Sequence, residues 1–175
     1  VASLKDLIVP PATGAGAAAI AIVRLSGPGA IDAGKQVFQG RLDDTSPGQM
    51  VLGKIHHPKE GEPVDQCLAV YWKAPRSYTG EDMVEFHLHG SPALVHVAVE
   101  VCQEAGARLA EAGEFTRRAF LNGKLDLAQA EAVASLTNSQ TEAASRSALT
   151  QLQGGLSQQL SGIRQDLVQV TAELE

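Results

Sequence analysis

The chain has 175 residues, a formal net charge of −6, and 44% hydrophobic against 19% charged residues. That length allows one domain with a substantial core, or one domain and part of another, and the composition excludes a disordered chain. Its 14 basic residues are scattered among 20 acidic ones, with Arg117-Arg118 as the tight basic pair, which argues against a domain that holds nucleic acid by itself.

Aromatic residues are 4% of the chain, so the core must be built from Leu, Val, Ile and Ala. No apolar run approaches the roughly 20 residues needed to span a bilayer, and Val1 to Leu7 lacks the charged-then-apolar pattern of a leader. Cys67 and Cys102 are too few and too far apart for a disulfide framework or a Cys-rich zinc site. A cytoplasmic protein with reduced thiols and no membrane attachment is expected.

In chain order, Ala18 to Val23 is a short apolar run after a Gly-containing loop and is closed by Arg24-Leu25-Ser26-Gly27-Pro28, which predicts a buried strand followed by a turn. Ala30 to Phe38 suits a short helix. Met50 to Ile55 and Gln66 to Trp72 are strand candidates on either side of the turn-rich His57-Pro58-Lys59-Glu60-Gly61. Met83 to His89 alternates residue types and is the clearest strand. Pro92 to Ala105 has helical spacing at Leu94, Val97, Ala98 and Val101, with Pro in the first turn and Gly106 beyond the end. Glu114 to Leu121 suits a helical turn or two that stops at Asn122-Gly123. Asp126 with Gln129 forms a capping-box pattern, and Leu127, Ala130, Val133, Ala134 and Thr137 follow on one face of the next helix. From Leu149 the apolar residues fall at Leu152, Leu156, Leu160, Ile163, Leu167, Val170 and Leu174, with steps of four and three from Leu156, the seam of a helix packed along another helix. The chain stops at Glu175 with nothing to cover that seam, so a second copy or further sequence is expected to do so.

Few motifs carry chemistry. Glu85, His87 and His89 fall on one face of a strand and Phe86 and Leu88 on the other. A metal site there would need a third well-placed ligand, so a polar face that bonds a neighbour or a ligand is the simpler expectation. Gly14-Ala15-Gly16 precedes a strand rather than a helix, and no Gly-Lys-Ser/Thr follows, so no nucleoside triphosphate site is encoded. No Ser sits in a Gly-x-Ser-x-Gly elbow. Arg24 and Lys124, taken with Glu85, would suit an acidic ligand carrying a heterocycle, since a carboxylate accepts paired N–H donors and the cations hold negative groups.

The run from Gly113-Glu114-Phe115-Thr116-Arg117-Arg118 through Asn122-Gly123-Lys124-Leu125-Asp126 to Val133 closely resembles the start of the helical domain of the MnmE (TrmE) family of tRNA-modification GTPases. Ile22 to Gly27, Ser77 to Glu85, His89-Gly90, and Ser147 to Leu149 with Leu152-Gln153-Gly154 agree in the same order, so the resemblance covers essentially the whole chain. It implies an α+β, mixed-sheet tetrahydrofolate-binding domain, similar to that of aminomethyltransferases, followed by the opening of long α-helices. Residues 1–122 would be the tetrahydrofolate-binding and dimerisation domain and residues 123–175 the beginning of the helical domain.

The implied cofactor is 5-formyl- or 5,10-methylene-tetrahydrofolate, and GTP, Mg2+ and K+ would belong to a GTPase domain that this segment lacks. The implied partners are a second copy of the chain, MnmG (GidA), and tRNA in the full complex, in which the pair builds an aminomethyl-type group on C5 of the wobble uridine. By position, Arg24, Glu85 and Lys124 match the family's folate-contacting residues, and Arg118 is a weaker candidate for the same pocket. No catalytic residue and no metal ligand is expected within the segment. The glycine loop departs from the family's Pro-x-Gly-Arg-Gly-Gly, reading Thr13-Gly14-Ala15-Gly16, so its basic residue is missing. That departure keeps open a dimerisation module without folate, and a stand-alone aminomethyltransferase-like enzyme is the other rival, against which the run from Leu125 to Val133 counts. With the partner helices lying beyond a GTPase insertion, Leu160, Ile163, Leu167 and Val170 are expected to be under-packed here.

Overall fold

The computed structural model describes residues 5–10, 16–42 and 45–174, without the side chains of 156–159, 161, 173 and 174. Gly14 and Ala15 of the altered glycine loop, and the first residues of Val1 to Leu7, lie outside the described residues, as do the side chains of Leu156 and Leu174 in the seam. The chain divides into two compact units, residues 1–115 and 116–175.

The first unit is α+β. Its described residues form β1 (Ile8–Val9), β2 (Ile20–Ser26), α1 (Ala30–Val37), β3 (Phe38–Gln39), β4 (Val51–His56), β5 (Pro63–Trp72), β6 (Met83–His89), α2 (Pro92–Glu104) and β7 (Arg108–Leu109). The strands make one mixed sheet in the order β3-β4-β5-β6-β2-β1-β7, antiparallel except where β1 and β7 run parallel. Alternation fixes which face is buried. Val23 and Leu25 of β2, Val84, Phe86 and Leu88 of β6, and Cys67 and Ala69 of β5 turn inward, where Ala33 and Val37 of α1 and Ala98, Val101 and Cys102 of α2 complete the core. Phe38 and Phe86 meet in it with ring centroids 6.0 Å apart. The opposite face of the sheet carries Arg24, Glu85 and His87, together with the exposed Ile20, Leu52 and Leu68.

Strand Met83–His89 and helices α1 and α2 fall where the residue pattern places them. The first apolar strand does not: it begins at Ile20 and runs through Arg24, Leu25 and Ser26, residues expected in its closing turn. Pairing with Met83, Val84 and Glu85 holds them extended. The two-residue strands β1, β3 and β7 had no sequence signal. β7 is held by backbone bonds from Arg108 N to Leu7 O (2.9 Å) and Ala110 N to Val9 O (3.2 Å). The Arg108 guanidinium then bonds Glu114 twice, at 2.6 and 2.9 Å, and Asp6 at 2.9 Å. Bonds to Glu114 and Asp6 push the Arg108 pKa further up, so this fork stays charged.

Helix α3 (Glu114–Leu121) lies across the division between the units. It ends in a Schellman turn: Gly123, at φ +69°, donates to Phe120 O, and Lys124 N donates to Ala119 O at 2.8 Å. The second unit then holds α4 (Leu127–Thr137), α5 (Glu142–Leu152) and α6 (Gly155–Leu174). The expected capping box is present, with Gln129 N donating to Asp126 Oδ1 at 2.8 Å and Asp126 N to Gln129 Oε1 at 2.9 Å.

The buried face of α4 centres on a small residue. Ala132 is fully buried whereas Leu127 is exposed, because α4 and α5 approach closely, and cross-links run from Gln129 Nε2 to Leu152 O (2.9 Å) and Gln151 Nε2 to Ala128 O (3.1 Å). The expected long helix is also broken, at Gln153-Gly154, where Gly154 has φ +89°. Beyond the break the seam is uncovered as expected, with Leu160, Ile163, Leu167 and Val170 exposed by 55, 56, 63 and 53%.

Two outcomes test this packing. Replacing Leu160 and Leu167 by Ser should cost less than about 0.5 kcal/mol each in urea denaturation, since little apolar contact is lost. Cys67 and Cys102 are buried and free, and burial pushes both thiols up to about 12. Ellman's reagent at pH 8 should therefore leave both unreacted in the native chain and titrate both in guanidinium.

Candidate functional site

Strands β2 and β6 pair through seven consecutive residues, from Ile20 opposite His89 to Ser26 opposite Met83. Residues paired across an antiparallel ladder share a face. Arg24 therefore faces Glu85 on the side away from α1 and α2, and Arg24 Nε donates to Glu85 Oε1 at 2.8 Å in a part-buried ion pair. The second carboxylate oxygen, Oε2, lies 3.6 Å from His87 Nε2, beyond hydrogen-bond range. That nitrogen is buried and has no hydrogen-bond partner among the described residues. An unsatisfied buried donor or acceptor costs about 1–3 kcal/mol, so this nitrogen is open to a polar group of a ligand or a water.

A cleft of about 230 Å³ opens beside Glu85, lined also by Trp72, Arg76, Ser77, Tyr78 and Met83. Trp72 Nε1 is likewise buried without a partner among the described residues. The loop from Lys73 to Asp82 forms one wall, and hydrogen bonds hold it to the sheet. Ser26 Oγ donates to Glu81 Oε2 at 2.8 Å and lies 2.7 Å from Thr79 Oγ1, while Ser77 Oγ donates to Glu81 O at 2.6 Å. Asp82 closes the loop, accepting from Ala74 N (2.9 Å) and Lys73 Nζ (2.7 Å). Burial alone would raise the Asp82 carboxyl, but these two donors outweigh it and hold the group below its ordinary value. The run Ser77 to Asp82 thus serves mainly to shape the cleft wall.

Further along the same face a second cleft, of about 180 Å³, lies among Ile20, Leu52, Gln66, Leu68, His87 and His89. At the end of β6, Gly90 closes against the entry to β2: Ala18 N donates to Gly90 O at 2.9 Å, and a Cβ on Gly90 would stand 2.1 Å from Ala18 O. A side chain cannot be accommodated there.

Of the residues singled out from sequence, the fold brings Arg24 and Glu85 together. Arg118 and Lys124 belong to the other unit: Arg118 is 1% exposed on α3, and Lys124 is exposed where the Schellman turn ends that helix. Trp72, Arg76 and Tyr78 were not anticipated at the site, because their neighbourhood depends on the path of the loop. Among the described residues no three His, Cys, Asp or Glu side chains cluster as metal ligands, and no helix is long and apolar enough to cross a membrane. The arrangement has the donors and acceptors a binding cleft needs. A carboxylate offers about four lone-pair positions, and Arg24 occupies one. Glu85 can still accept the adjacent N–H donors of a flat heterocycle set against Trp72 and Tyr78.

A family model described as "GTP-binding protein TrmE N-terminus" matches residues 7–124, and one described as "MnmE helical domain" matches residues 127–175. The chain belongs to the MnmE (TrmE) family. It is 49% identical over 172 residues to a protein of Aquifex aeolicus named tRNA modification GTPase MnmE, covering 98% of this chain and 38% of that one. A protein of the same name from Thermus thermophilus is 46% identical over 174 residues, covering 99% of this chain and 40% of its own length. One from Caulobacter vibrioides is 49% identical over 172 residues, with 98% and 37% covered. The chain thus spans about two fifths of the length of these MnmE relatives.

Gly90→Ala should lower stability by about 2 kcal/mol or more in thermal or urea unfolding, because the new methyl meets backbone rather than a yielding side chain. Asp82 has a folded-state pKa below its unfolded value, so its contribution is present above the ordinary carboxylate range and is lost as pH falls through the lowered value. Asp82→Asn should accordingly lower the melting temperature at pH 7, and the difference from the parent should shrink as pH falls below the ordinary carboxylate range.

Proposed function

We propose that this chain is the N-terminal part of a tRNA-modification GTPase that binds a one-carbon tetrahydrofolate and self-associates through its first domain. Residues 1–122 form the tetrahydrofolate-binding and dimerisation domain, and residues 123–175 begin the helical domain. The whole protein hydrolyses GTP with Mg2+ and K+ in a domain outside these residues. Together with MnmG (GidA) it adds an aminomethyl-type group to C5 of the wobble uridine of tRNA.

The observation that carries the folate reading is the Arg24–Glu85 pair at the mouth of an aromatic-walled cleft. A 5-formyl- or 5,10-methylene-tetrahydrofolate would supply the one-carbon unit when bound. The residues present suit it. Glu85 accepts the N–H donors of the pterin's amide-like edge, and Arg24 holds that carboxylate in place. The unpartnered Trp72 Nε1 and His87 Nε2 leave polar capacity at the same place. By their position in the family's motif Lys124, and more weakly Arg118, are proposed as further folate contacts. The dimer reading is supported by the open face of the sheet, where Ile20 is 60% and Leu52 61% exposed in what would otherwise be a layer covered on one side.

Calorimetric titration of 5-formyltetrahydrofolate should give micromolar affinity, weakened roughly 30-fold or more by Glu85→Ala, the loss expected when a charged acceptor is removed. A folded chain that binds no folate would refute this, and appreciable GTP turnover by these 175 residues would refute the assignment of the GTPase elsewhere. Sedimentation should show a dimer, and Ile20→Asp combined with Leu52→Asp should yield a monomer.

A further inference from the structure

The Schellman turn that ends α3 carries chemistry as well as a chain reversal. The sequence contains two asparagines, Asn122 and Asn138, and each stands at the C-terminal end of a helix. Asn122 is followed by Gly123 and Asn138 by Ser139. The carboxamide carbon of an asparagine is open to attack by the backbone nitrogen of the next residue, which closes a succinimide ring. A side chain on that next residue hinders the approach, and glycine has none.

Asn122 is exposed. Gly123 stands at φ +69°, and a Cβ built there would meet nothing within 4 Å, so a ring has room to form and water can reach it. The nucleophile itself is engaged. Gly123 N donates to Phe120 O at 3.0 Å, and Lys124 N donates to Ala119 O at 2.8 Å behind it. A nitrogen whose hydrogen is held by a carbonyl is not available to the carboxamide, so ring closure must wait for the last turn of α3 to open. Opening at a helix end costs little compared with global unfolding. Asn138 differs on both counts: its Nδ2 donates to Ala134 O at 2.9 Å, and the Ser139 side chain stands on the attacking residue, its hydroxyl donating to Leu136 O at 2.8 Å.

We infer that Asn122-Gly123 is a self-modification site gated by opening of the Schellman turn. In the open turn Gly123 N gives up its proton and bonds to the side-chain carbonyl carbon of Asn122. The carboxamide C–N bond breaks, and its nitrogen takes up that proton and leaves as ammonia. Water then adds to either carbonyl of the succinimide and opens the ring, giving aspartate or isoaspartate. Either product weakens the turn. A carboxylate in the last turn of α3 meets the negative end of the helix dipole. Isoaspartate also adds a methylene to the backbone, which spoils the spacing that lets Lys124 N reach Ala119 O. The reaction therefore runs one way, because a modified turn no longer closes as before.

Peptide mapping by mass spectrometry of this chain, aged at mildly alkaline pH in buffer and in urea, tests it. Aspartate and isoaspartate should accumulate at position 122 in urea, and roughly tenfold or more slowly in buffer, where the turn must open first. Position 138 should react far more slowly than 122 in urea. Lys124→Pro removes the Lys124 N–H, keeps the Asn-Gly pair, and should speed the reaction in buffer while leaving the rate in urea nearly unchanged. If that variant fails to fold, the comparison of buffer with urea in the parent chain still decides. Equal rates in buffer and urea would overturn the gating. No product at 122 in urea, or as much at 138, would overturn the site.

Discussion

The pairing of β2 with β6 is the constraint on which the first unit depends. Seven residues are locked in one register, and the side-chain period of a strand is two. A slip by a single residue would turn Arg24 and Glu85 into the core and send Val23 and Phe86 to solvent. The same register that buries the apolar side therefore assembles the polar one. Neither the core nor the ion pair has an independent choice of position, so stability and ligand chemistry rest on one set of backbone bonds.

This explains why the candidate face is firm without being packed. Its ceiling is open, but its floor is a central pair of strands flanked on both sides, and its wall is a loop tied to β2 through Ser26, Thr79 and Glu81. The residues held most tightly in the loop are those that touch the sheet, while Arg76 and Tyr78 face the cleft. Preorganisation of that kind lowers the ordering cost of binding, because few side chains need to be immobilised when a ligand arrives.

Much of the local structure was legible in the sequence, for stated physical reasons. Alternation marked Met83 to His89, Pro and Gly bracketed α2, Asp126 with Gln129 marked the start of α4, and Asn122-Gly123 marked the end of α3. What escaped was decided by distant partners. The strands β1, β3 and β7 are two residues long and exist only because a neighbour offers an edge. Arg24 to Ser26 stay extended because residues far along the chain, Met83 to Glu85, pair with them. The face of α4 follows the small Ala132 and Ala148 rather than Leu127, since close approach rewards the absence of a side chain. The site was legible in part: Arg24 and Glu85 could be nominated, but Trp72 and Tyr78 owe their place to the folded loop.

The inert thiols have a practical corollary. Because Cys67 and Cys102 lie on the inner side of the sheet with their protons held well into the alkaline range, maleimide chemistry near neutral pH will pass them by. A single cysteine placed on the uncovered seam of α6, at the position of Ile163 or Leu167, would then be the lone reactive handle in an otherwise unaltered chain. Spin or fluorescent labels at such a position can report on what covers that helix without first removing the native cysteines.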